Sequence, residues 1–325
     1  MKKSLLALAA LTAFAGVASA QSSVTLFGTV DVAVESTKTT LGSGTSTTNR
    51  TMTNNRRGTS QLSVTGAEDL GGGLRAIFLY EGDFDGTDPS GSTHPVGGGG
   101  GEIFVGLAGG FGSLKLGTPN EPSLSSQAAR QPIGTKLGSG FGGGGLNILG
   151  TTLVRQAKSL RYDTPNMGGV TLVGVLADGK KIDLGLNFVG GPVNVWLTRY
   201  QDKSFVTQTN TVTELAVQVT FGTATIYAGA HSEANAGGVS TADSKGKNVA
   251  FKYGITPTLY LLGNLAKLDI DGTTQDKKVT AFGGEYLLSK RTTVYGRYVS
   301  QTTSNVAATA QKTATTLLVG TQHNF

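Results

Sequence analysis

No cysteine occurs in the 325 residues, so an exported form of this chain forgoes disulfides and must be held by backbone ladders and packing. A long hydrophobic run is missing too. Outside the first twenty residues nothing approaches the ~18 to 20 apolar residues that a helix needs to cross a bilayer. If the chain spans a membrane it does so with strands, because in hydrocarbon only helices and closed barrels satisfy every backbone donor and acceptor internally. Histidine is scarce, at His94, His231 and His323. A hydrolytic site needs a base within reach of a nucleophile. His94 stands beside Pro95 in a loop, His323 falls on an outward phase, and His231 has strand neighbours that point to the opposite face. No paired-histidine spacing suggests a metal, and Asp269, Asp271 and Asp276 read as a solvated acidic turn in preference to a weak hard-cation site. Neither glycine run, 97–101 or 142–145, is followed by the Lys-Ser/Thr of a phosphate loop. The expectation is no enzyme, no cofactor and no metal.

What is present is glycine, 49 residues of it, about twice the usual ~7%. Glycine costs stability in helices and serves tight turns, bulges and crowded strand crossings. At the amino-terminus Lys2 and Lys3, an apolar run over 5–17 and Ala18-Ser19-Ala20 read as a signal peptide at 1–20, leaving Gln21 first in the mature chain. Its removal takes Lys and Arg from 27 to 25 against 21 Asp and Glu, an excess of 4 that is spread along the chain. A nucleic-acid footprint would be a concentrated basic stripe, so no nucleic-acid partner is expected.

Across 21–325 a two-residue rhythm dominates. Val24, Leu26, Gly28, Val30, Val32 and Val34 share one face of the first segment, with Thr25, Thr29, Asp31 and Glu35 on the other. At the far end Leu317, Val319, Thr321, His323 and Phe325 oppose Leu318, Gly320, Gln322 and Asn324. A barrel wall with lipid outside and water inside demands this alternation. The aromatic residues Phe78, Tyr80, Tyr162, Phe221, Tyr253, Tyr286, Tyr298 and Phe325 share the outward phase, as interfacial girdles do.

The pattern predicts sixteen strands near 23–35, 58–67, 73–84, 101–109, 112–118, 154–164, 169–178, 181–190, 192–201, 211–221, 223–233, 246–255, 257–269, 276–288, 291–302 and 312–325. An even count lets first and last strands close in antiparallel order around an aqueous lumen. Residues 37–56 read as a polar loop, and the register stays open near 101–103, 193–200 and 258–268. Residues 118–153, rich in Gly, Pro and Ser, break the rhythm. Loops this long are uncommon unless functional or disordered, and one folded inward would narrow the lumen. The fold expected is all-β: a sixteen-stranded antiparallel transmembrane barrel with 118–153 as an inward constriction loop.

Several stretches resemble those of one known family along essentially the whole mature chain. SerValThrLeuPheGly (23–28) with Asp31 is similar to that family's first strand, and GlyAlaGluAspLeuGlyGlyGlyLeu (66–74) to its first periplasmic turn. PheValGlyLeu (104–107) and GlyPheGlySerLeuLysLeuGly (110–117) resemble the hairpin leading into the constricting loop. ArgGlnAlaLysSerLeuArgTyrAspThrPro (155–165) and LeuSerLysArgThrThrValTyr (288–295) match two more signatures, and HisAsnPhe (323–325) resembles the final His-x-Phe. The set in this order resembles the trimeric general porins of Gram-negative bacteria, especially the betaproteobacterial type, and the resemblance implies a homotrimer in the cell outer membrane, surrounded by its lipid. It also implies that Phe325 is read by the barrel-assembly machinery, and that small hydrophilic solutes and inorganic ions diffuse passively through the lumen. A plugged barrel acting in adhesion or surface recognition is the alternative.

Members of that family commonly carry basic residues where this chain has Gln61, Thr65, Gly101, Thr118 and Gln322, so part of the basic ladder is missing. The lumen phase retains Arg75, Lys115, Arg155, Arg161 and Arg297, with Arg57 just before its strand; Arg155 matches the family's arginine beside the constriction. Arg130 and Lys136 lie in the long loop, where Glu121 is the lone acid. Fixed positive charge in a narrow channel concentrates anions. These arginines either do that or pair with Glu81, Asp83, Asp163 or Glu285 on the same wetted face. Arg75, Arg155 and Arg161 are read as lining the narrow zone opposite the loop, giving mild anion selectivity.

Overall fold

Alternating strands run from Ser23 to Asn324 and close on themselves, since the first, β1 (Ser23–Leu41), pairs antiparallel with the last, β17 (Gln311–Asn324). The computed structural model describes residues 23–88, 100–141, 154–241, 243–271 and 276–325. The leader at 1–20, His94, most of the 97–101 glycine run, the 142–145 run and residues 142–153 of the long loop lie outside these.

After β1 come β2 (Ser46–Asn54), β3 (Gln61–Gly71), β4 (Leu74–Asp83), β5 (Ile103–Gly109), β6 (Gly112–Thr118) and a helix, α1 (Pro122–Ala129). The wall continues through β7 (Ser159–Asp163), β8 (Val170–Ala177), β9 (Lys181–Gly190), β10 (Val193–Asp202), β11 (Asn210–Phe221) and β12 (Ala224–Ala234). It finishes with β13 (Ser244–Gly254), β14 (Leu259–Ile270), β15 (Asp276–Leu287), β16 (Thr292–Thr303) and β17. Among the described residues these seventeen segments make a sixteen-stave barrel, because β2 and β3 together form the second stave: β3 pairs with the first half of β1 and β2 with the second.

The residues read as a loop at 37–56 are therefore mostly a hairpin. β1 runs 19 residues, about twice the ~9 to 11 that cross hydrocarbon. Its upper half and β2 are threonine-rich and polar on both faces, so no apolar alternation announces them. The second stave is interrupted at Asn55, which sits at φ 57 and whose amide oxygen accepts a hydrogen bond from the Ser60 N–H. The expected strand at 154–164 shortens to Ser159–Asp163, with Lys158 at φ 57 ending it and Arg155 left in an isolated bridge to Asn120. Gly101 precedes β5, and a Cβ there would lie 2.2 Å from the Glu81 carbonyl oxygen, so the phase breaks before Ile103. At the first short turn Gly71, Gly72 and Gly73 all have φ between 61 and 85, which only glycine adopts in succession.

Outward residues are exposed and inward ones covered. Val105 is 60% exposed and Leu116 54%, whereas Ser63 is 0%. Single cysteines at Val105 and Leu116 should resist a membrane-impermeant thiol reagent in the lipid-embedded protein, and ones at Arg75 and Lys115 should react. Ser63 faces inward but is sealed, so a cysteine there should stay unlabelled. The reverse pattern would overturn the register.

The two open registers settle for one reason. Leu262, Ala266 and Leu268 of β14 point inward and are buried with Val279, Ala281, Tyr295, Val299 and Leu318 against Ile133 and Leu137 of the long loop. Tyr200 and Val212 are buried together on β10 and β11. Covered by the loop, this stretch of wall is apolar on both faces, and a two-residue pattern loses its contrast. Each fully buried Ile or Leu contributes roughly 1.5 to 3 kcal/mol.

Candidate functional site

The long loop lies along the inner wall from β9 to β16. Pro122 starts α1, where its missing N–H costs nothing, after Glu121 in extended conformation. The helix sequence SerLeuSerSerGlnAlaAla is hardly amphipathic because the wall it docks on is polar. The Ser123 hydroxyl and N–H donate to the Asp183 carboxylate at 2.9 and 3.1 Å. Gln127 Nε2 donates to Glu214 Oε1 at 2.8 Å, and the Arg130 guanidinium sits 3.4 Å from the same oxygen, both side chains fully buried. His231 Nδ1 lies 3.1 Å from Glu214 as well, and its other nitrogen is 3.8 Å from Glu233. Asn248 donates to the Arg130 carbonyl at 2.6 Å, and Asn264 to those of Gly138 and Ser139 at 2.9 and 3.1 Å. Gly229 and Gly185 are notches in the wall: a Cβ would stand 2.3 Å from Arg130 Cδ at the first and 2.5 Å from Pro122 Cβ at the second.

Glu121 is 1% exposed, and burial, aided by the neighbouring Asp183 carboxylate and opposed by Gln156 and Lys181, pushes its pKa up from 4.5 to about 8. The loop's lone acid is therefore largely protonated at neutral pH and brings little charge to the lumen. An undocked Glu121 releases its proton near 4.5 and the docked one near 8, so this residue's contribution to docking is fully present at mildly acidic pH and is lost as pH rises through that interval. Limited proteolysis should cut the wild-type loop faster at alkaline than at mildly acidic pH. In Glu121→Gln that difference should disappear.

The loop leaves open the other side of the lumen. There a cavity of about 470 Å³ is bounded by Arg57, Glu81 and Asp83 of the wall, by Arg155, and by Asn120 and Lys136 of the loop. Lys136 donates to Thr59 Oγ1 across the gap. Its pKa is lowered by burial, with Asp83 and Asp31 opposing the shift. Among the described residues neither Lys136 nor Arg155 has a carboxylate within 4 Å. Glu81 accepts from Gln61 and the Glu102 N–H, and Glu102 holds Asn120 at the loop's start.

The other basic residues are placed differently. Arg57 forks onto Glu285 at 3.1 Å and reaches Gln322 at 2.7 Å. Arg297 and Lys252 share the same Glu285 at 3.3 and 3.6 Å, so three cations surround one acid. Arg161 pairs with Asp163 at 2.6 Å and also donates to the Asn120 carbonyl, while Lys115 approaches Asp163 at 3.3 Å. Pairing thus holds for Arg57, Arg161 and Arg297. Arg75 does not meet the loop: it sits at the short-turn end, eight residues and roughly 26 Å down β4 from Asp83. Arg130 is buried behind the loop, away from the open lumen. The acidic turn at Asp269 and Asp276 is bound to Lys267.

Sequence reading missed the anchors Asp183, Glu214, Asn248 and Asn264. Their signal is there in retrospect: carboxylates and amides on the inward phase of strands that otherwise carry small or apolar residues inside.

The sequence pattern of the Gram-negative porin family matches residues 7–306. Outer membrane porin protein 32 of Delftia acidovorans is 38% identical over 187 residues, 52% of this chain and 47% of that protein. An outer membrane porin protein of Bordetella pertussis is 30% identical over 232 residues, 61% of this chain and 59% of its own length. This chain thus spans about half the length of such relatives. Among solved structures, the anion-selective porin from Comamonas acidovorans superposes with a TM-score of 0.78 at 22% identity, covering 94% of this chain and 100% of that one. The trimer form of OmpT from Vibrio cholerae gives 0.68 at 15%, covering 94% and 99%. Those identities carry the fold alone. With the family pattern running through nearly the whole barrel and its inward loop, this chain belongs to the Gram-negative porins.

Proposed function

We propose that the protein is a water-filled channel of the outer membrane through which small hydrophilic solutes and inorganic ions diffuse down their gradients, with a mild preference for anions. The observation that carries this reading is the charged gap left between the docked loop and the opposite wall, bounded by Arg57, Glu81, Asp83, Lys136 and Arg155. A loop fastened to one side narrows a lumen without filling it. The preference for anions is supported by incomplete neutralisation: Glu285 faces Arg57, Arg297 and Lys252, Asp163 faces Arg161 and Lys115, and Glu121 is mostly uncharged. Glu81 and Asp83 temper it. The Comamonas structure bears the description anion-selective, which agrees with this reading.

Residues 1–20 would be the export signal, 118–153 the constriction, and the assembly a homotrimer like the trimer form of OmpT. Phe325 exchanges backbone hydrogen bonds of 3.1 Å with Gly28 at the barrel seam. We assign it the role of recognition by the assembly machinery. Its deletion should lower the folded outer-membrane fraction; a normal level of normal oligomer would remove that role. Bilayer conductance with a salt gradient tests the channel itself. Steady open current and a zero-current potential of anionic sign are expected. No steady current would leave a plugged barrel, and a cationic sign would reverse the selectivity.

A further inference from the structure

The break in the second stave serves the lumen. Thr29 of β1 faces Gln61 and Val32 faces Asn54, so six residues, 55–60, stand against only two of β1, Val30 and Asp31. The surplus folds inward, where Arg57, Gly58 and Thr59 border the gap opposite the docked loop. Bulges re-aim side chains next to functional sites, and this one aims two. Arg57 reaches Glu285 and Gln322, and Thr59 Oγ1 accepts a hydrogen bond from Lys136 of the loop. The segment has little room to move. Arg297 donates to the Arg56 carbonyl at 2.6 Å, and a Cβ on Gly58 would stand 3.0 Å from the Gln322 side-chain nitrogen.

One residue ties the bulge down. Asp31, on the inward phase of β1, is 0% exposed. Its Oδ2 accepts from the backbone N–H of Arg57 at 2.5 Å and from that of Gly58 at 2.8 Å. Its Oδ1 accepts from the Tyr295 hydroxyl, which fixes the carboxylate from β16. The Asp31 carbonyl accepts from the Asn55 N–H at 3.2 Å, and the Asp31 N–H donates to Ser60 Oγ at 3.0 Å, so both ends of the bulge return to the same residue. Bonds from backbone N–H to a carboxylate are roughly twice as strong as neutral ones. With both oxygens taken and no surface in water, Asp31 offers a passing ion nothing to touch. What it supplies is geometry: it sets where Arg57 and Thr59 stand in the gap and, through Thr59, where the Lys136 ammonium stands.

We propose that Asp31 is a positioning residue for ion selectivity, acting through the inward bulge at 55–60 that it caps. This rests on the reading of the lumen as an anion-preferring channel. The competing account is that Asp31 acts by its field, since its charge is felt at Lys136. A field acts through charge and a cap through shape, and the two respond oppositely to conservative substitution.

Asp31→Asn removes the charge and keeps the shape, because the amide oxygen still accepts the two N–H groups while Nδ2 donates to the Tyr295 oxygen. Asp31→Glu keeps the charge and moves the carboxyl group by one methylene, roughly 1.5 Å. Zero-current potentials of the full reconstituted protein across a salt gradient read the outcome. The anion preference should stay at the wild-type value in Asp31→Asn and fall in Asp31→Glu toward that of Arg57→Gln/Lys136→Gln. Adding Asp31→Glu to that double variant should give no further shift, since changes acting through the same groups do not add. An aspartate with only a structural role would alter the heat stability of the oligomer without producing this pattern. A shift toward anions in Asp31→Asn, an unchanged Asp31→Glu, or a further shift when Asp31→Glu joins the double variant would each overturn the proposal. A wild-type channel without anion preference would fell the channel reading and this proposal with it, a failure visible before any variant is made.

Discussion

Replacing Glu214 with alanine should unlatch the inward loop while leaving the barrel standing. That carboxylate is the common acceptor for Gln127, Arg130 and His231, and Arg130 is fully buried beside it. Removing one partner of a buried ion pair strands the other, at a cost of about 3 to 5 kcal/mol. The guanidinium cannot shed its charge to escape. Because Arg130 belongs to the loop and Glu214 to the wall, the cost falls on the docked state. The variant should show single-channel currents that are larger or noisier than wild type, and faster protease cleavage within 118–141, with the strand signature in circular dichroism unchanged. Gly229→Leu should act the same way from the other side, by filling the notch that receives Arg130. Unchanged currents and cleavage in both variants would show that the loop is held elsewhere.

Converting Lys136 and Arg155 together to glutamate should reverse the ion preference. These two border the gap without a carboxylate within 4 Å among the described residues, and the exchange places two new acids beside Glu81 and Asp83. The anion-to-cation permeability ratio should fall on the order of tenfold in dilute salt, where the Debye length is ~10 Å, and the change should fade near 1 M, where it is ~3 Å. Arg161→Glu should do less, since Arg161 is already held by Asp163 and leaves Lys115 to take its place. Zero-current potentials across a salt gradient decide it. A double variant that keeps the wild-type sign would take Lys136 and Arg155 out of the selectivity mechanism.

Sequence alone determined the wall. Strands from β8 to β17 fall within a few residues of where alternation placed them, because a barrel in lipid gives each side chain one of two solvents and the two-residue period writes that choice into the chain. Where both faces meet the same environment the writing fades. The polar hairpin of β1 and β2 rises on both faces into water, and β14 is apolar on both because Ile133 and Leu137 cover its inner side. The tertiary structure alone decided which charges are spent. Arg57 looks alike in sequence to Arg155, yet it meets Glu285, 228 positions away, whereas Arg161 meets Asp163 two positions on and Arg297 meets Glu285 from the neighbouring strand. Ion pairing falls off within a few ångströms, and only closure of the barrel brings such distant residues that close.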